Sequence, residues 1–215
     1  MDIAVAGGHG RIALRLLRLL AERGDGARGL IRNPDHAADL EAVGATPVGA
    51  DLENLDDHAI ARSIAGVDAV VFSAGAGPGS GPARKRTVDY GGAVKLIHAC
   101  HMSRVSRYVM VSAMGVHDPA ARGAEMTPYY SAKLEADLAL AASGLEYTIV
   151  RPGRLTDGPG TGRIQASPRL DHGGQVPRDD VAATLLGCLD EPNTVGKQFD
   201  LLTGDTAIAA SLAAL

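Results

Sequence analysis

The chain has 215 residues, 46% hydrophobic and 21% charged, which suffices for one well-cored domain, is too little for two comfortable ones, and excludes a disordered or fibrous chain. A net charge of −4 gives no electrostatic attraction to nucleic acid or an anionic membrane, and no apolar run reaches the roughly 20 residues that a membrane helix needs. With five Tyr, two Phe and no Trp, the core must be built from Ala, Val, Leu and Ile; the 27 glycines signal either linker or a backbone turning tightly around a ligand.

The first residues, Met1-Asp2-Ile3-Ala4-Val5-Ala6, run into glycines with no basic segment before them, so they read as a strand at 2–6 and not as a secretion signal. A helix at 11–23 follows, with Ile12, Leu16, Leu19 and Leu20 on one face and a solvated row of Arg11, Arg15, Arg18 and Glu22 on the other. Strands at 27–31 and 46–49, a helix at 55–65 and a strand at 69–72 lead into a glycine-rich stretch at 75–81. Then come a helix at 87–102, a strand at 108–111, a helix at 129–142, a strand at 147–150 and a second glycine-rich stretch at 158–174. A helix at 178–189, opened by Asp179 and Asp180 as suits the positive end of its dipole, and a strand at 198–201 complete the pattern. This rhythm predicts a three-layer, Rossmann-like α/β fold, a mostly parallel, doubly wound sheet in a single domain over 1–215, with a substrate-pocket segment at about 154–177. Cys100 and Cys188 fall far apart in helical patterns without C-x-x-C spacing and are read as a reduced, buried, inert pair in the cytoplasm.

The strongest local pattern is Gly7-Gly8-His9-Gly10-Arg11-Ile12-Ala13, between a strand and a helix. It satisfies G-x-G-x-x-A from Gly8 and G-x-x-G-x-x-A from Gly7. The chain turns sharply, its N–H groups can approach a pyrophosphate at the helix N-terminus, and Ala13 permits close helix–strand packing. In this context the dinucleotide reading outweighs a plain tight turn. The second strand should end at the adenosine ribose, and there Leu30-Ile31-Arg32-Asn33-Pro34 offers Arg32, suited to a 2′-phosphate, in place of the acidic residue that would favour NAD. NADP(H) is therefore expected over NAD(H), against the plainer reading of Arg32 as a surface arginine. Arg11 is a weaker phosphate candidate that also fits the outer helix face, and His9 can touch cofactor from the loop. Asp51-Leu52 ends the third strand and suits either the adenine edge or a helix cap; Ser73-Ala74-Gly75 ends the fourth, where small residues let the backbone run beside a cofactor.

With Val111-Ser112-Ala113-Met114-Gly115, Tyr129-Tyr130-Ser131-Ala132-Lys133 and Thr148-Ile149-Val150-Arg151-Pro152-Gly153 added, nearly the whole chain resembles the atypical short-chain dehydrogenase/reductases. The likeness is to their small NAD(P)H-binding group, which includes biliverdin reductase B-like and NmrA-like proteins. The resemblance implies a site in which Tyr129 exchanges a proton with a substrate oxygen, Ser112 holds that oxygen and Lys133 touches the nicotinamide ribose. Tyr129 and Lys133 lie four apart on one helix face, and a neighbouring ammonium lowers a phenol's pKa from about 10. It also implies backbone contact with the nicotinamide from Pro152, Gly153 and Arg154. Tyr130, on a stripe with Leu134, Leu138 and Ala141, is assigned to packing. Asp89 stands where relatives often carry an Asn, and the long carboxyl-terminal extension of nucleotide-sugar epimerases is not seen, which demotes sugar epimerisation.

Arg84-Lys85-Arg86 is placed to guide an anionic substrate or cofactor phosphate but reads more simply as a solvated loop, and His117 is a candidate to line the pocket. His98 and His101 show helical i, i+3 spacing but no third ligand, so no metal is expected. The function expected is NADP(H)-dependent reduction, or the reverse oxidation, of a small carbonyl or conjugated compound by a cytoplasmic monomer or small homo-oligomer. A non-catalytic NADP(H) redox sensor and an epimerase or isomerase using bound nicotinamide are the alternatives. A small molecule is the expected partner, with neither nucleic acid nor membrane.

Overall fold

The computed structural model describes residues 1–77 and 79–215; Pro78, within the glycine-rich stretch 75–81, lies outside the described residues. The amino-terminal elements are β1 (Asp2–Ala6), α1 (Arg11–Arg23), β2 (Gly26–Ile31), α2 (Ala37–Glu41), β3 (Thr46–Gly49), α3 (Asp57–Ser63) and β4 (Ala69–Phe72). After them come α4 (Gly81–Arg84), a π-helix (Lys85–Gly92), α5 (Ala93–Ser103), β5 (Arg107–Val111), α6 (Thr127–Ala141) and β6 (Glu146–Pro152). The chain ends with β7 (Arg154–Thr156), β8 (Arg163–Ser167), β9 (Gln175–Pro177), α7 (Arg178–Asp190), β10 (Lys197–Thr203), β11 (Thr206–Ala207) and α8 (Ile208–Ala213).

The main sheet runs β3-β2-β1-β4-β5-β6-β10 in parallel, then adds β8 antiparallel to β10 and β11 antiparallel to β8. After β3 the chain crosses back to place β4 beside β1. The loops leaving these two strands diverge, which opens a crevice at their carboxyl ends. The two-residue period of β1 sorts its side chains between two cores. Ile3 and Val5 pack with Leu16 and Leu20 of α1 and Val181 and Leu185 of α7. Ala4 and Ala6 pack with Ile60 of α3, Leu96 of α5 and Ala136 of α6. Pro47, which cannot donate to a ladder, sits on the edge strand β3.

The structure adds α2, α4, β7, β9, β11 and α8 to the expected elements and differs from the expectation elsewhere as well. On α1 the buried stripe is Ile12, Ala13, Leu16, Leu17 and Leu20, with Leu19 only partly buried. The helix expected at 87–102 divides into the π-helix and α5, next to the consecutive glycines Gly91 and Gly92. The stretch 158–174 contains β8, anchored by the fully buried Ile164. Asp179 and Asp180 hold that stretch as well as starting α7. Asp180 accepts from the backbone N–H groups of Thr161 (2.9 Å) and Gly162 (2.8 Å), and Asp179 from that of Gly160 (3.2 Å).

Candidate active site

Two cavities adjoin along the carboxyl ends of β1 and β4, sharing Ser73, Ala74 and Gly75 as their common wall. The first, of about 320 Å³, is lined among others by Gly7, Gly8, His9, Gly10, Arg32, Asp51 and Leu52. The second, of about 480 Å³, is lined by Ile12, Ser112, Tyr129 and Lys133 together with Asp89, Met126 and Leu155.

The loop after β1 is glycine because it is wedged between β2 and the loop after β4. Gly7 has φ +78°, and a Cβ there would lie 2.7 Å from the Ala74 Cα; a Cβ on Gly8 would lie 2.8 Å from the Gly29 Cα. Gly10 donates its N–H to the Gly7 carbonyl at 2.8 Å and launches α1, which has neither a side-chain cap nor an acidic residue in its first turn. The positive end of the helix dipole thus faces the cavity with its first-turn donors uncapped by side chains, as a pyrophosphate requires. His9 is held beside this loop, its Nε2 2.7 Å from Asp39 Oδ2 and its ring stacked on that of His36 at 3.6 Å.

At the ribose corner Arg32 is about half exposed, and its Nη1 lies 3.3 Å from Glu53 Oε2. The same oxygen accepts from Arg84 Nε and Nη2, both at 3.2 Å, while Glu53 Oε1 accepts from Thr87 Oγ1 at 2.7 Å. The loop after β3 thus brings a carboxylate between Arg32 and Arg84, a partner that the local sequence around Arg32 does not reveal. Lys95 fixes that loop by donating to the carbonyls of Leu52, Glu53 and Leu55 at 2.8–3.0 Å. Asp51 lines the cavity and holds its own turn by accepting from the Glu53 N–H and from Asn54 Nδ2, while the helix cap expected of it is supplied by Asp56, which accepts from the Ala59 N–H at 2.7 Å.

On the other side, Tyr129, Lys133 and Asp137 recur every fourth residue of α6 and turn toward the sheet. Lys133, 4% exposed, places Nζ 3.2 Å from Asp89 Oδ1, 3.3 Å from the Val111 carbonyl and 3.5 Å from the Ala74 carbonyl. Burial pushes this ammonium's pKa down, but Asp89, with Tyr129 and Asp137, more than reverses that and holds it above its ordinary value. The Tyr129 phenol, expected to be lowered by Lys133, is raised: burial acts most strongly, Lys133 opposes it, and Asp89, Tyr130 and Asp137 add to it. Ser112 Oγ is buried in the second cavity with no hydrogen-bond partner among the described residues. A buried hydroxyl left so is available to a ligand.

Other expectations need correction. Tyr130 and Leu134 are only partly buried and Leu138 is 61% exposed, so the buried face of α6 is Ala132, Lys133, Ala136, Asp137 and Leu140. Tyr130 meets Tyr129 edge-on at 5.2 Å, with the Arg122 guanidinium 5.4 Å over its ring. Arg84 and Lys85 are not simply solvated: Arg84 and Val88 line the first cavity, Lys85 and Asp89 the second, while Arg86 turns away to Glu135 at 2.9 Å. The π-helix thus divides its inward residues between the two cavities. Arg11 pairs with Asp157 at 2.8 Å and is not among the described lining residues.

Pro152, Gly153 and Arg154 do not line either cavity among the described residues. Gly153 lies so near β10 that a Cβ would be 2.4 Å from Leu202 Cδ2, and Arg154 is engaged with Gly174 and Gln175. Of the segment 154–177, Leu155 reaches the second cavity. His117 stands behind the site with Nε2 3.0 Å from Arg151 Nη1, and Arg151 Nε donates to Asp137 at 2.8 Å in a buried ion pair. Desolvation and Arg151 lower the His117 pKa; burial raises that of Asp137 against the pull of Arg151.

No cluster of three His, Cys, Asp or Glu among the described residues is placed to hold a metal, and His98 is engaged with Asp57 at 2.9 Å. The free cysteines Cys100 and Cys188 are buried, and burial pushes both thiols up to about 12. No helix among the described residues is long and apolar enough to cross a membrane.

Comparison with known proteins places this geometry. The family model described as NAD(P)H-binding matches residues 7–192. An uncharacterized sugar epimerase of Bacillus subtilis, YhfK, is 42% identical over 213 residues, covering 99% of this chain and 99% of its own. A solved structure from Bacillus halodurans, provisionally named an NAD-dependent epimerase/dehydratase, superposes with a TM-score of 0.94 at 36% identity over the whole of both chains. A short-chain dehydrogenase/reductase from Veillonella parvula, crystallised in complex with NADP, shares the fold with a TM-score of 0.78 at 16% identity over 96% of each chain.

Proposed function

Because the chain belongs to the NAD(P)H-binding family, we propose that it is an NADP(H)-dependent oxidoreductase of the atypical short-chain dehydrogenase/reductase type, acting on a small carbonyl or conjugated organic compound. One observation carries this reading: the glycine loop and the Arg32–Arg84 corner line one cavity, Ser112, Tyr129 and Lys133 line the next, and the two share a wall. An extended dinucleotide fits such a pair end to end, with its pyrophosphate at the start of α1 and its adenosine toward Arg32. The 2′-phosphate of NADP(H) would meet Arg32 and Arg84 together, which supports NADPH over NADH.

The reduced nicotinamide supplies hydride to the substrate carbon when bound. Ser112 Oγ, free of other partners, donates to the substrate oxygen and fixes its direction. Tyr129 gives that oxygen its proton, and Lys133 lies with its ammonium between Tyr129 and the β4 loop, where it can also meet the nicotinamide ribose. Met126 and Leu155 give the cavity an apolar flank for the rest of a small substrate. We place this activity in the cytoplasm, in a monomer or small homo-oligomer, in keeping with two reduced, buried cysteines.

The names of the Bacillus relatives favour a second reading, epimerisation by transient transfer of hydride to and from a retained cofactor. One screen tests both. Aldehydes, ketones, quinones and flavins are offered with NADPH while its absorbance is followed. Steady consumption that Tyr129→Phe abolishes supports the reductase. Conversion of a sugar substrate with no net consumption replaces it with the epimerase.

A further inference from the structure

The buried charges around Tyr129 do not match a site that relies on a bare lysine to ionise its tyrosine. Lys133 Nζ is 3.2 Å from Asp89 Oδ1, with the two side chains 5% and 1% exposed. Asp89 is itself anchored, its Oδ2 accepting the Ala76 N–H at 3.0 Å, and it projects from the π-helix against Gly75, whose Cβ, if present, would lie 3.1 Å from Oδ1. The ammonium is 6.0 Å from the centre of the Tyr129 ring and points to Asp89 and two carbonyls. We infer that Asp89 is a positioning residue that neutralises Lys133 and thereby keeps Tyr129 a protonated hydrogen donor, setting the site for reduction in preference to oxidation.

The titratable groups that face the phenol come from three elements. From α6 come Lys133, Asp137 and Tyr130; from the π-helix, Asp89 and Lys85; from the segment before α6, Glu125. Asp137 is already matched by Arg151 at 2.8 Å, so the buried Lys133–Asp89 pair is the one whose halves act on Tyr129 with opposite sign. With both present the phenol sits above its ordinary pKa. In the reductive direction its O–H bond breaks as the substrate O–H bond forms, and the resulting phenolate regains a proton from solvent. Oxidation needs the phenolate at the outset, which the pair disfavours.

The direction of catalysis rests on the oxidoreductase reading, but the role of Asp89 is measurable without cofactor or substrate. Ultraviolet difference titration of the wild type against Tyr129→Phe isolates the Tyr129 phenolate, which should appear at or above the ordinary phenol value of about 10. In Asp89→Asn, which keeps an oxygen for the Ala76 N–H, ionisation at a given pH should rise by about tenfold or more, one unit of pKa. In the double variant Asp89→Asn/Lys133→Met it should return to the wild-type position. Titration of the wild-type phenol clearly below about 10 overturns the inference, and needs no Asp89 variant to fold. So does an unshifted phenol in Asp89→Asn, or a shift that the double variant fails to reverse. If no reduction is found in the substrate screen, these titrations still decide the role of Asp89; reduction without the shift overturns the Asp89 role alone.

Discussion

Around the phosphate loop the cleft is made of backbone, whereas around Tyr129 it is made of buried charge. Gly7, Gly8 and Gly10 bring main chain against β2 and the loop after β4, and the polar side chains of that half, Arg32, Arg84 and Glu53, are arranged near solvent and already satisfy one another. The other half sinks Lys133, Asp89, Asp137 and Arg151 beneath α6 and leaves Ser112 Oγ unpaired. A binding half tolerates exposure because geometry and a helix dipole do its work. A chemical half needs low dielectric and fixed partners, so that each charge shifts its neighbour.

The comparison breaks if the halves cannot be disabled separately. Tyr129→Phe should lower kcat for a reducible substrate by about 10²–10⁴-fold while leaving the NADPH Kd nearly unchanged; a matching loss of binding would merge the two halves. Asp137→Ala strands Arg151 at 3% exposure and should cost about 3–5 kcal/mol of stability in urea unfolding, whereas Asp137→Leu/Arg151→Met should recover most of it. Glu53→Gln, on the adenosine side, releases Arg32 and Arg84 from a carboxylate and should raise the NADPH-over-NADH binding ratio by about three- to tenfold.

The smallest effect concerns His117. Although the residue is exposed, its folded pKa is depressed below the ordinary 6.5, first by partial desolvation and then by Arg151. Its contribution to stability is therefore present above about pH 6.5 and is lost as pH falls through the lower folded value, because the unfolded chain takes up the proton first. Melting temperatures between pH 7.5 and 5 should fall less in His117→Gln than in the wild type.

The binding half was the more legible of the two in sequence. A phosphate loop is a local device, so Gly7 to Ala13 sit together and announce their purpose, and the alternation of apolar runs gives β1, β3 and β4 their observed bounds. Glu53 escaped notice because its link to Arg32 depends on β3 lying beside β2, which no local pattern records. In the chemical half, Ser112, Tyr129 and Lys133 were visible through a motif, but the apolar stripe chosen for α6 was displaced by tertiary contacts. Asp89 and Arg151 give Lys133 and Asp137 partners, so two charged residues occupy the buried face while Leu138 turns outward. β8 was missed because its core anchor, Ile164, is a single residue among glycines and polar neighbours.

The cofactor assignment is tested most directly by titrating the protein with NADPH and with NADH, following nicotinamide fluorescence, in the wild type and in Arg32→Ala. The account predicts that NADPH binds about tenfold or more tightly than NADH, and that Arg32→Ala removes most of this preference by weakening NADPH alone. Equal affinities in the wild type, or an unchanged preference in Arg32→Ala, would contradict it.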